Sequence, residues 1–511
     1  MNDTRRAFGP FVFDPATSTL SRDGELLPIG GRGMKILRAL IDAEGAIVTK
    51  SALIEAAWPN TFVEEGNLAV QVTALRKILR SEPDGRDWIA TVARVGYRMI
   101  LDQPRPAAAL AERRPTIAVL PFVNLDGSLE QEHFADGVVE DLITAFSRFK
   151  TFAVVARNSV FVYKHRDIDA REVARNLGVR YLLEGSVRQS GDRIRVSTRL
   201  IEGETGQQLW GERFDRAVSD IFDVQDIITR SVIGHIEPQI RKAEIERSHS
   251  KRPEHFDSWE LYIRALPFVY SAHLSSYDQA LELLDRAITL SPNYAPALAL
   301  AAWAHEKRKT YSFDTSLYKD DVQQSLRLSE MAVAADTDDA MALSLLGWLQ
   351  ILFLRDYSGL ALCSHAVVLN PNSRIVLEFA GVAHMFAGDL DEAINCYTAV
   401  VQLSPGAPDN YIAYTNLSGA LCLNGRCEEA FTWAQRAVDA NSGFVFAHTW
   451  MAAICVKLDK FEKAREHGRI ALALSPNLNA RISVAAMRFP ERQKLILDGL
   501  RQAGLPSAHL S

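Results

Sequence analysis

The chain has 511 residues, of which 48% are hydrophobic and 23% charged, and its formal net charge is −6. That length exceeds a single core and calls for about two to four domains. The composition excludes wholesale disorder, and the net charge excludes a uniformly polycationic nucleic-acid binder, so any nucleic-acid site must be a local patch. No apolar run reaches the roughly 18–20 residues of a membrane helix. The first residues, MNDTRRAFGPFVFD, hold no signal-peptide core. A soluble cytoplasmic protein with no membrane partner is expected. The five cysteines, Cys363, Cys396, Cys422, Cys427 and Cys455, include no CxxC pair, and no histidines stand at zinc spacing. They read as free thiols of a reducing compartment.

The first segment spans 8–101. FVFD and LLPIG flank the turn SRDGE and predict an N-terminal hairpin. MKILRALIDAEGAIV has helical spacing and a glycine stop at Gly45. Thr49 or Ser51 can cap a short helix, SALIEAAW, that Pro59 terminates. A third helix follows in GNLAVQVTALRKIL. Leu68, Val72, Leu75 and Leu79 recur at spacings of four, three and four, forming one apolar stripe. Asn67, Gln71, Thr73, Arg76, Lys77 and Arg80 lie off it, a face with hydrogen-bonding groups and cations but no acid. Taken alone, such a helix is either an ordinary surface helix with a solvated basic edge or one that enters a DNA groove. WIATV and GYRMI then predict a hairpin around Ala93–Gly96. Hairpin, three helices and hairpin fit a winged helix-turn-helix.

Leu101–Pro115, with three prolines and an alanine run, reads as a linker, placed at 102–115. The second segment, 116–247, reads α/β. TIAVLPFVNL is a buried-strand run, FADGVVEDLITAFSRF a helix, FAVVARNSVF a second strand and DAREVARNLG a helix closed by Gly178. The stretch from Tyr181 to Phe214 gives strands separated by the turns SGD and GETG, and SDIFDVQDIITRSVIGHIEPQI is a helix, with Ser219 as its cap. Asp136, Glu140 and Asp141 read as helix N-terminal charges rather than a metal or acid–base site. Arg157, Asn158 and Ser159 are placed at a strand end. No phosphate loop is present.

The third segment, 257–505, is helical and repetitive. AITLSP, AVVLNP, VVQLSP and ALALSP, with the divergent copies AVAADT and AVDANS, end at Pro292, Pro371, Pro405, Pro476, Thr337 and Ser442, and in chain order these positions are spaced by 45, 34, 34, 37 and 34 residues. A 34-residue period belongs to the tetratricopeptide repeat, whose helix pairs stack into a solenoid with a concave face. The 45-residue interval holds an insertion near YSFDTSLYKDD, and Gln493–Leu505 is expected to cap the array. Asn416, Asn424, Tyr411 and Tyr414 are candidates for a groove that takes a protein partner.

GAIVTKSALIEAAWP, LRKIL and TVARVGYRM together resemble the OmpR/PhoB-type DNA-binding domain. The resemblance implies that the third helix lies in the major groove and the wing touches the backbone. Asn67, Gln71 and Thr73 would then meet base edges, with Arg76, Lys77, Arg80 and Arg94 on or near phosphate. Tyr97 is a packing residue on this reading. Gly66 and Ala74 stand where basic residues are frequent, and Ala93 occupies the usual wing-arginine position. Residues 1–101 hold 13 Lys/Arg and 12 Asp/Glu, a net of 13 − 12 = +1, so a homodimer on repeated half-sites would help affinity.

IAVLPF, FADG, ARNS, LGVRYLLEGSVR and LWGERFDR resemble a TolB-N-like domain. The whole arrangement is similar to HilA-like bacterial regulators. It implies a multidomain α+β protein (winged helix, small α/β domain, all-α solenoid) that binds double-stranded DNA and senses a signal or partner. No cofactor, metal or catalysis is expected. With no receiver domain ahead of the winged helix, regulation is assigned to the later segments. The alternatives are a protein-interaction scaffold or a cyclase-associated signalling protein whose winged helix docks protein.

Overall fold

The computed structural model describes residues 6–8, 11–15, 17–22, 25–43, 48–59, 63, 65–79, 88–92, 96–99, 114–166, 168–217, 221–249, 256–271, 273–313, 317–479 and 485–506. It divides into two compact units, Met1–Leu110 and Ala111–Ser511.

The first unit opens with an antiparallel meander of β1 (Arg6–Phe8), β2 (Phe11–Asp14), β3 (Thr19–Arg22) and β4 (Glu25–Leu26). This differs from the single hairpin expected. FVFD pairs with TLSR, and Phe13 sits opposite Leu20. That register puts Phe11, Phe13 and Leu20 together in the core, which pairing across SRDGE alone would not do. The extra turn is held by Asp14, whose carboxylate accepts from the Thr17 N–H at 3.3 Å. Helices α1 (Gly31–Asp42), α2 (Lys50–Ala57) and α3 (Glu65–Leu79) follow. The Thr49 hydroxyl caps α2 by accepting from the Ala52 N–H at 3.2 Å, and Trp58 ends it ahead of Pro59. Gly45 lies outside the described residues. β5 (Val48–Thr49), β6 (Ile89–Val92) and β7 (Gly96–Met99) form a sheet of order β5-β7-β6.

The second unit begins with a six-stranded sheet. β8 (Thr116–Val119) lies between parallel neighbours β10 (Ala153–Val154) and β11 (Tyr181–Ser190). β11 continues antiparallel into β12 (Arg193–Glu202) and β13 (Gln208–Ala217), while β9 (Val123–Asn124) pairs with the far half of β11. The period-2 alternation sends Tyr181, Leu183 and Val187 to one face and Leu182 to the other. The first face is covered by α4 (Leu129–Ser147) and α7 (Ile221–His249), the second by α5 (Arg157–Phe161) and α6 (Ala170–Leu177). Gly178 closes α6 in the left-handed region at φ 64°. Ser219 lies outside the described residues.

FAVVARNSVF is not one strand. It pairs only at Ala153–Val154, then turns at Ala156 into α5. Arg157, Asn158 and Ser159 therefore open a helix rather than end a strand. Its β-branched residues suggested a strand, but Val160 is claimed by the packing of the second face.

The solenoid contains six helix pairs among the described residues: α8 (Ser258–Tyr270) with α9 (Leu274–Leu290), α10 (Ala295–Tyr311) with α11 (Lys319–Ala335), α12 (Ala340–Leu349) with α13 (Gly359–Leu369), α14 (Arg374–Ala387) with α15 (Leu390–Leu403), α16 (Asn410–Leu423) with α17 (Cys427–Ala440), and α18 (Val445–Lys457) with α19 (Phe461–Leu474). α20 (Pro490–Gln502) packs on the last pair. α10 ends at Tyr311 and α11 begins at Lys319, on either side of the insertion. Small residues set the approach within pairs: a methyl on Gly381 would lie 2.8 Å from the Tyr397 ring. All five cysteines are free, and Cys363, Cys396, Cys422 and Cys455 are buried.

α7 joins sheet to solenoid. Val224, Ile228, Val232, Ile236 and Ile240 face the sheet core. Gly234 faces the end of α15, where a Cβ would fall 1.9 Å from the Leu403 carbonyl oxygen. The Ser404 hydroxyl donates to the Gly234 carbonyl at 2.5 Å, and Lys150 pairs with Asp336 at 3.1 Å. In an exposed helix interior, Gly→Ala gains about 1 kcal/mol. Here Gly234→Ala should instead cost about 1–3 kcal/mol through overpacking against backbone. A lower thermal midpoint of the full chain, with the Ser404 contact broken, is the expected result.

A buried pair of histidines gives the solenoid a pH dependence. His448 Nε2 lies 3.0 Å from the Ser442 carbonyl, and the His448 and His467 Nδ1 atoms are 2.9 Å apart. Nε2–H of His448 must donate to the carbonyl, so its Nδ1 accepts from Nδ1–H of His467. Burial depresses both, His467 to about 4. A depressed histidine stabilises the fold above its unfolded value near 6.5 and loses that contribution as pH falls through the folded value. Unfolding titrations should lose stability between about pH 6.5 and 4. His467→Asn should flatten that interval.

Candidate nucleic-acid interface

α3 forms because its apolar stripe has a partner. Leu68, Val72, Leu75 and Leu79 are all buried in the core with Leu37, Leu53 and Trp88. That stripe fixes which way the rest of the helix points. Asn67, Thr73 and Lys77 are exposed, and Gln71 and Arg76 are half-buried. Arg76 and Lys77 occupy the last turn, where cations complement the helix dipole. Arg80 and Arg94 lie outside the described residues.

Three of these side chains have local engagements that the sequence did not reveal. The Thr73 hydroxyl donates to the Ala69 carbonyl at 2.8 Å, which uses its one donor and leaves it an acceptor. Gln71 leans toward α1, its Oε1 3.7 Å from where a Cβ on Gly33 would sit. Arg76 donates twice to the Ile89 carbonyl, from Nε at 3.0 Å and Nη2 at 2.6 Å. That fork ties α3 to the first strand of the β6–β7 hairpin, so helix and wing share one arginine. Tyr97 is buried in the same core, as a packing residue should be.

Sequence reasoning passed over Val70. It is 64% exposed at the centre of the polar face, between Asn67 and Thr73. Its signal was present: a β-branched apolar residue off the buried stripe has no core to enter.

The acidic residues of the second unit have a plain structural role. α4 starts at Leu129, capped by Ser128, so Asp136, Glu140 and Asp141 lie beyond its first turn. The dipole explanation fails because the helix begins earlier than FADG suggested. Asp136 pairs with Lys164 at 2.6 Å, and Glu140 with Arg157 at 3.5 Å. Burial, with Asp226 nearby, raises the Asp141 carboxyl. Among the described residues no His, Cys, Asp and Glu cluster is placed to hold a metal ion, and no helix is long and apolar enough to cross a membrane.

In the solenoid, Asn416 lines an open pocket. Tyr411 packs on Phe444 with ring centroids 4.9 Å apart, and Tyr414 on Trp433 at 5.4 Å. Asn424 donates to Asp391 across neighbouring pairs at 3.1 Å. The four candidates do not form one patch.

Comparison with known proteins matches this layout. Residues 24–99 match the family described as transcriptional regulatory protein, C terminal. Residues 112–231 match the second domain of HilA/YgeH-like transcriptional regulators, and residues 380–443 the tetratricopeptide repeat. These matches give the chain a winged-helix domain of the transcriptional-regulator type, a second domain like that of HilA/YgeH-like regulators and a tetratricopeptide repeat. The chain is 24% identical to the transcriptional regulator HilA of Salmonella typhimurium over 411 residues, covering 77% of this chain and 70% of that one. It is also 42% identical over 186 residues to the putative adenylate cyclase 3 of Rhizobium meliloti, a match spanning 36% of this chain and only 32% of that protein. The solved DNA-binding domain of E. coli CadC is 25% identical, with 19% of this chain and 91% of that one aligned at a TM-score of 0.18.

The Arg76 fork gives a direct prediction. Arg76→Ala strips two charge-assisted bonds from the Ile89 carbonyl and should cost the first unit about 1–3 kcal/mol. Amide hydrogen exchange across Ile89–Val92 and Gly96–Met99 should accelerate, while the solenoid helices exchange unchanged.

Proposed function

We propose that the chain is a sequence-specific DNA-binding transcriptional regulator acting in the cytoplasm. Residues 8–101 read the operator, 102–115 form a linker, and 116–247 with 257–505 sense a signal or protein partner and set self-association. One observation carries the reading. The buried stripe of α3 leaves Asn67, Val70, Thr73 and Lys77 outward on a helix of major-groove width.

In this reading the Asn67 amide pairs with an adenine edge and the Val70 methyls meet a thymine methyl. Exposed Thr73 offers its methyl and hydroxyl oxygen, and Gln71 reaches a base by leaving its contact near Gly33. Lys77, Arg80 and Arg94 hold phosphates. Arg76 keeps its place as the residue that sets the angle between helix and wing. Two protomers on repeated half-sites offset the low charge of each domain.

The net charge of +1 over residues 1–101 favours a second reading, an interaction scaffold whose winged helix docks protein. Salt separates the two, since phosphate neutralisation makes log affinity fall linearly with log salt. Selection from random DNA fragments by the full-length protein should enrich a repeated half-site. No enrichment at low or high salt would transfer the reading to the scaffold. Asn67→Ala should relax one operator position and cost about 1–3 kcal/mol there. Lys77→Ala should weaken all sequences alike and lower the salt slope by about one.

A further inference from the structure

β13 is the last strand of its sheet and pairs on one side only, with β12. It has ten residues, where β10 at the opposite edge has two. Among the described residues no backbone hydrogen bond joins its free side to another segment. Long open edges are ordinarily blunted by proline, by a bulge, by a cover or by charge. β13 holds no proline, and its register shift lies at its start, beside Leu200 and Ile201, so Gly211–Ala217 is regular. Gly211, Glu212, Arg213 and Ala217 are exposed, and Asp215 and Arg216 are half-buried.

Charge blunts an edge only where an incoming strand meets its own sign, and here the order of signs does the reverse for one particular strand. Glu212, Arg213, Phe214, Asp215 and Arg216 read minus, plus, apolar, minus, plus. Read backwards, every sign is inverted. A second copy laid antiparallel about a two-fold axis through Phe214 puts Glu212 opposite Arg216 and Arg213 opposite Asp215, each twice, with the faces of both sheets in step. Axes through Glu212, Arg213, Asp215 or Arg216 would each set a charge against its own copy. The strand therefore specifies a single register with itself.

Two of these side chains lack a partner inside the chain. Glu212 and Arg216 share one face of β13 but stand four residues apart, about 13 Å, too far to meet. Neither has an ion-pair partner among the described residues. Arg216 instead donates to the carbonyl of its neighbour Asp215 at 2.9 Å. In the pairing, the backbone N–H of the second copy's Arg213 takes that carbonyl, and the guanidinium of Arg216 is released to the second copy's Glu212. On the other face, Asp215 is already held by Arg195 at 2.6 Å, with Arg213 at 3.6 Å, so Glu212 with Arg216 is the pair that dimerisation creates.

We propose that β13 is the dimerisation edge of this chain: two copies join their sheets antiparallel, centred on Phe214, into one continuous sheet. The inference names the surface for the self-association in the proposed function and rests on that reading for its purpose. Such a dimer carries two winged helices, as repeated half-sites require.

The test is sedimentation equilibrium of the full-length protein without DNA. One strand pair is a small interface, so a dimer with Kd of about 1–100 μM is expected, sampled up to about 300 μM. Glu212→Arg and Arg216→Glu, each alone, set like charges opposite one another at two places and should weaken the dimer at least about tenfold. The double variant Glu212→Arg/Arg216→Glu inverts both pairs and should recover the wild-type affinity to within about threefold. An equimolar mixture of the two single variants should also dimerise, because each supplies the sign that the other lacks. Neither position is in the core, so all variants should keep the wild-type thermal midpoint. A monomer at every concentration overturns the proposal and leaves the edge to a foreign strand. A dimer that both single variants leave intact lies on another surface and overturns it too, as does a loss that neither the double variant nor the mixture restores. DNA plays no part in these measurements, so a recovered dimer beside a failed DNA selection sinks only the DNA reading.

Discussion

The close approach of Gly234 to Leu403 is the contact on which the larger unit depends. α7 is buried twice over: one face completes the sheet core, and the other meets backbone at the end of α15. No side chain fits between them, so a glycine is required within a helix that is otherwise a poor place for one. Once the two surfaces meet, Ser404 donates to the Gly234 carbonyl, Asn370 donates to the Arg148 carbonyl at 3.3 Å, and Lys150 reaches Asp336. These polar contacts hold a seam whose hydrophobic parts were each built within a separate domain. The small α/β domain is consequently not a bead on a string. It is carried by the solenoid.

The same helix places Arg241 against Tyr270, as hydrogen bond and as cation over a ring at 4.9 Å. From Tyr270 the aromatic contacts continue through Trp303 to Phe379, whose rings are 5.4 Å apart. An unbroken packed path therefore runs from the middle domain into the solenoid interior. Packed interiors respond to added volume by discrete rearrangement rather than smooth deformation, which is the property a sensing element needs. In the first unit the corresponding economy is Arg76, which orients a hairpin from the helix that presents Asn67 and Val70.

Much of this was legible in the residues. The stripe of Leu68, Val72, Leu75 and Leu79 is buried as its spacing requires, Thr49 caps α2, Gly178 ends α6, and the repeat period marks the helix pairs. Each is a local rule, and only the cap was left open, between Thr49 and Ser51. The misreadings came where two local signals competed. FVFD was set against LLPIG across the conspicuous turn SRDGE, but its partner is TLSR, which places Phe13 opposite Leu20. FAVVARNSVF had strand propensity throughout, yet Val160 was drawn into a helix by the second face of the sheet. The acidic residues after Phe134 looked like a helix start because Ser128, the true cap, lies in a less conspicuous stretch.

The sequence by itself determined the three helices of the first unit, the helix pairs of the solenoid, the order of the three architectures and the polarity of the recognition-type helix, because periodicity and capping act within a few residues of each other. Tertiary structure alone decided that Arg76 would serve the hairpin, that Gly234 would join two domains, and that Tyr311 would meet Phe446 over a pocket lined by Lys307. Those contacts link positions tens to hundreds of residues apart. They depend on the angle at which each helix pair stacks on the last, a quantity set by the sum of all the packing and written in no short stretch of chain.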